Sequence, residues 1–64
     1  MSNYDYEDQA VRLLRLAVAG FEAGDEYVYN AQGAARHAMA LVDRGVLTDE
    51  LANEITETLA PYEF

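Results

Sequence analysis

Apolar residues recur at helical spacing along most of this chain, and the three stretches in which they do so are separated by glycine-centred breaks. Val11, Leu14, Val18 and Phe21 form the first stripe, widened by Ala10, Leu13 and Ala17. Leu16 falls at its margin, which makes the segment apolar over more than one face and suited to a middle position or to burial against a second chain. Asp5 is placed to cap this helix, with Glu7 and Asp8 in the first turn, where free amides and the helix dipole favour negative charge. Gly24 is placed to end it in the left-handed conformation that glycine adopts most readily.

The second stretch carries mostly small residues, Ala31, Ala34, Ala35 and Ala38, before closing on Leu41 and Val42. Asp25 is its candidate cap. Gly33 lowers helix propensity by about 1 kcal/mol against alanine. A face of alanine and glycine allows a neighbouring helix to come close, so Gly33 is expected to mark that approach. Tyr27 and Val28 supply bulk at one end, Met39 at the other.

The run from Asp43 to Glu50 is the clearest local signal. Gly45 reads as a helix-closing glycine, with Val46 folding back in a Schellman closure. Thr48 reads as the next cap, followed by Asp49 and Glu50 in the first turn. Leu51, Ile55 and Leu59 then make a third stripe, which Pro61 ends, leaving Tyr62, Glu63 and Phe64 as an aromatic tail. The spacing thus predicts an all-α chain, a small three-helix bundle with helices over about 5–23, 26–44 and 49–60.

At 64 residues the chain makes one small helical domain over 1–64. A domain this short buries only about 60% of its unfolded surface, so its core is marginal. With no cysteine there is no disulfide or thiolate site, and the one histidine, His37, does not make a zinc site. Close helix packing or a homodimer must supply the missing stability. A catalytic role for His37 would need a nucleophile held beside it, and Ser2 is the only serine. Paired carboxylates on so short a chain have no cleft to set their pKa values. The expectation is therefore no enzyme, no cofactor and no metal.

Charge narrows the partner. Twelve acids face four basic residues, all arginine, for a formal net charge of −8. The segment 46–64 holds five of the acids and no basic residue. Gly45-Val46 followed by Thr48 loosely resembles the turn of a DNA-binding helix–turn–helix. The helix that would read DNA carries Asp49, Glu50, Glu54 and Glu57 and no cation, so a phosphate backbone would repel it. Direct nucleic-acid binding is not expected. Nor is membrane binding: Arg15 interrupts the apolar run from Leu13 to Phe21, which falls far short of the roughly 20 residues a span requires. Met1 to Asp8 has no basic region and no apolar core, so a secretory signal is not expected and a cytoplasmic location is.

Asp49, Glu50, Glu54 and Glu57, with Tyr27 and Tyr29, are the candidate partner-binding residues. Carboxylates at helical spacing imitate phosphates, and tyrosine is common at interface hot spots. The leading expectation is an acidic helical inhibitor or regulator that occludes a basic, nucleic-acid-handling site on a larger protein, as a phage- or plasmid-borne inhibitor would. One alternative is a homo-oligomeric structural or assembly protein whose acidity reflects only its host. The other is an antitoxin-like neutraliser of a basic toxin.

Overall fold

A computed structural model describes residues 5–64, which form three helices and, among the described residues, no strand. Helix α1 spans Tyr6–Ala23, α2 Asp25–Arg44 and α3 Asp49–Leu59. The three-helix, all-α reading of the sequence holds, and each helix lies within a residue or so of its predicted span. Ser2 lies outside the described residues.

The caps explain most of the boundaries. Asp5 accepts a hydrogen bond from the Asp8 amide at 3.1 Å and opens α1. Thr48 does the same for Leu51 N–H at 3.3 Å and opens α3. Gly45 takes the left-handed conformation (φ 73°, ψ 26°) and donates to Val42 O at 3.1 Å, one of the two hydrogen bonds of the expected closure.

The junction of α1 and α2 departs from expectation. Gly24 has φ 116° and ψ −176°, a positive-φ extended conformation outside the left-handed helical region. That region is essentially reserved for glycine. This one residue closes α1 and opens α2, and Asp25 is already helical, so no side chain caps the second helix. A connection one residue long leaves no room for a separate capping residue. Asp25 and Glu26 still place negative charge in the first turn.

The core is small and rich in alanine. Among the described residues nine are buried, and five of them are alanine, namely Ala10, Ala17, Ala31, Ala35 and Ala38; the others are Leu14, Leu41, Ile55 and Leu59. Small side chains let α1 and α2 lie close together, and the tightest approach is at Gly20. A Cβ added there would stand 2.8 Å from Ala31 Cβ and 3.2 Å from Tyr27 O. Gly33, expected to mark this approach, faces open space, with nothing within 4 Å of an added Cβ. Gly33 stands two residues from both Ala31 and Ala35, roughly 200° around the helix, so with these two buried it points outward.

Two contacts fix the course of α3. Its cap residue Thr48 donates its amide to Glu7 Oε2 at 3.3 Å, beside the start of α1. Tyr62, just beyond its end, stacks on Phe21 near the end of α1, with ring centroids 4.3 Å apart and planes 3° from parallel. The third helix therefore runs alongside α1 in the same direction, and its tail folds back onto the bundle. Gln32 Nε2 secures the tail by donating to Glu63 O at 3.1 Å. Ile55 and Leu59, both fully buried, carry the apolar part of this attachment.

The two glycines supply a paired test. Gly20→Ala would press a methyl on fixed atoms of α2, and the overpacking penalty of about 1–3 kcal/mol exceeds the helix-propensity gain of about 1 kcal/mol. Gly33→Ala meets no obstacle and should gain that propensity in full. Urea denaturation of the two variants is expected to show a lower midpoint for the first and a higher one for the second.

Candidate functional site

The carboxylates flagged in the sequence are all exposed, but they do not form one surface. Glu50 and Glu54, on successive turns of α3, line an open groove between α3 and the first half of α1. Asp5, Glu7, Asp8, Arg12 and Arg15 line it from the other side, over a floor of Val11 and Leu51. Asp49 and Glu57 are exposed outside this groove. Asp5, Glu7 and Asp8, read from the sequence as the cap and first-turn acids of α1, thus belong to the same face as Glu50 and Glu54. Glu7 is the clearest case, since its carboxylate reaches across to the α3 cap.

Within the groove the cations only partly offset this charge. Arg12 pairs with Asp8 along α1 at 3.2 Å, and both side chains are mostly exposed, so the pair contributes little to stability. Five carboxylates against two guanidinium groups leave the groove negative. Glu50 and Glu54 stand at i, i+4, a spacing at which like charges are mildly destabilising. The fold gains nothing evident from keeping them together.

The tyrosines lie elsewhere. Tyr27, 50% exposed, lines a second groove between α1 and α2. Its other lining residues are Leu16, Ala19, Gly20, Ala23, Asn30, Ala31 and Ala34. Tyr29, 83% exposed, lines neither groove. Because Leu16 follows Leu14 by two residues, it points roughly 200° away from it around the helix. Leu14 packs in the cluster with Ile55 and Leu59, so the second groove opens away from α3. The acids and Tyr27 accordingly occupy different grooves.

His37 is exposed and lies 3.5 Å from the Gln9 side chain. Among the described residues no group of three or more His, Cys, Asp or Glu side chains is arranged to hold a metal ion. No helix among them is long and apolar enough to cross a membrane. Sequence reasoning missed the second groove, whose only local sign was Leu16 at the edge of its stripe. Comparison of the chain with family models, with curated proteins and with solved structures found no match.

Replacing Glu54 with arginine tests whether the acidic face opposes stability. Glu54→Arg removes a like-charge pair and creates an oppositely charged one with Glu50 at the favoured i, i+4 orientation. Stability in low salt is expected to rise by roughly 0.5–1 kcal/mol, read from chemical denaturation, and the gain should shrink in high salt.

Proposed function

We propose that this chain is a non-enzymatic acidic binding protein that occludes a basic site on a larger protein, with the α1–α3 groove as its docking face. The observation that supports this reading is the convergence of Asp5, Glu7, Asp8, Glu50 and Glu54, from two helices, on one open groove. Carboxylates in such an array present a negative ridge to a site built for phosphates. Their field speeds the encounter with a basic partner and sets its orientation. The opposing reactant is a protein and not a nucleic acid, since the net charge of −8 repels phosphate.

The residues assigned to docking are Glu50 and Glu54, joined by Asp5, Glu7 and Asp8. Asp49 and Glu57 extend the negative field around α3. Tyr29, two residues from buried Ala31 and so turned roughly 200° away from the core, and Tyr27, in the second groove, both face away from this docking surface. An inhibitor, regulator or neutraliser of a basic toxin would all act by this mechanism, in the cytoplasm.

The test is capture of proteins from the source cell on the tagged chain, washed first at low and then at high salt and identified by mass spectrometry. A basic partner held at low salt and released at high salt is expected. Reversing Glu50 and Glu54 to arginine should weaken that partner's binding at least about tenfold, chiefly through the association rate. Recovery of nothing but copies of the chain itself, or a partner indifferent to the reversal, would overturn the reading.

A further inference from the structure

The groove between α1 and α2 is apolar, about 370 Å³ in volume, opens away from α3, and shares no lining residue with the acidic groove. Its floor is the close approach of Gly20 to Ala31, where only the Ala31 methyl stands between the helices. Leu16 and Tyr27 stand at its edges, 63% and 50% exposed. A large leucine beside a hollow lined by glycine and alanine is a knob next to a hole. Within one chain the two cannot meet, because they are side by side on the same surface.

Charge along the groove is also polarised. On α1, Arg12 sits one turn before Leu16, beyond one end of the groove. On α2, Glu26 sits one turn before Asn30, beyond the other end. All four arginines lie outside residues 16–35, a stretch that contains Glu22, Asp25 and Glu26. The turn end of the hairpin is therefore acidic, while its open end carries all four arginines interspersed with Asp5, Glu7, Asp8 and Asp43.

We propose that the occupant of this groove is a second copy of the chain, related by a two-fold axis passing near Ala19. An antiparallel pairing of the two α1 helices seats Leu16 of each copy in the hollow formed by Gly20, Ala23 and Ala31 of the other. The same register brings Arg12 of each copy to Glu26 of the other. A two-fold interface must be self-complementary, residue i meeting j and j meeting i, and this face meets that condition in both shape and charge. Arg12 already pairs with Asp8, but that exposed contact is weak and leaves the guanidinium with donors to spare. The dimer adds the burial of Leu16 and Tyr27 to a core otherwise built largely from alanine.

Sedimentation equilibrium of the full chain over a wide concentration range tests the pairing. A reversible monomer–dimer equilibrium is expected, with Leu16→Glu raising the dissociation constant at least about tenfold. Leu16 is exposed in the monomer, so helical circular dichroism should persist in that variant. Arg12→Glu and Glu26→Arg should each weaken the dimer by about fivefold, and combining them should restore it. Since the chain has no cysteine, Ala19→Cys should form an intermolecular disulfide under mild oxidation faster than Gly33→Cys, which lies outside the groove. A chain that stays monomeric throughout would overturn the proposal. So would a dimer unmoved by Leu16→Glu, or one in which Gly33→Cys crosslinks as fast as Ala19→Cys.

Discussion

At Gly20 the backbone of α1 comes so near α2 that an added Cβ would lie 2.8 Å from Ala31 Cβ, and the remaining structure is arranged around that approach. Two long helices joined by one residue have little freedom in how they pair. Gly24 sets the turn, and Gly20 with Ala31 sets the separation just beyond it. From there the alanines at 10, 17, 35 and 38 keep the helices close along the seam. A seam of small residues maximises backbone proximity but contributes little apolar area per residue. The bulky apolar side chains must come from elsewhere, and α3 supplies two of them, Ile55 and Leu59, fully buried against the hairpin.

The attachment of α3 combines three kinds of interaction at different points. Apolar burial holds its middle, the Glu7–Thr48 hydrogen bond holds its start, and the Phe21–Tyr62 stack holds its tail. Tethering both ends fixes the direction of the helix, which two buried side chains alone would leave free to swing. It also keeps Glu50 and Glu54 beside the acids of α1 despite their mutual repulsion. The acidic groove is thus a by-product of packing in its position, but not in its composition. Any uncharged polar residue at Glu54 would pack equally well on that exposed surface.

Much of the fold was legible in the sequence because its signals are local. The three stripes, the caps Asp5 and Thr48 and the closing Gly45 each depend on residues within a turn or two. What was not legible depends on register between distant segments. Gly20 and Gly33 both sit in helices rich in alanine; spacing from Ala31 and Ala35 turns Gly33 outward, but nothing within either helix tells which residue of α2 Gly20 meets. The answer depends on how Gly24 reverses the chain, and its positive-φ extended conformation differs from the expected left-handed one. Likewise Glu7 looked like a partner of its own helix dipole, and its link to Thr48 spans 41 positions. Tyr62 read only as part of an aromatic tail, and it meets Phe21 across the bundle. The sites inherit this limit: Glu50 and Glu54 were recognisable as a helix face, while their companions on α1 were not.

Self-association and electrostatic docking are compatible because the two grooves share no lining residue, and only Arg12, at the edge of both, serves each. Pairing two chains of net charge −8 meets long-range repulsion, and its size depends on where the charge sits. Five of the acids lie in residues 46–64, on or just after α3, and the apolar groove opens away from that helix. Joining two copies through the groove places both α3 helices on the outside, where water and salt screen them most effectively. The Arg12 and Glu26 contacts meanwhile act at short range across the seam. The resulting dimer would carry two acidic faces directed outward, so a target with paired basic sites would gain from effective concentration as well as from charge. The same asymmetry that leaves α1 and α2 short of apolar cover therefore keeps the acidic face free for a partner.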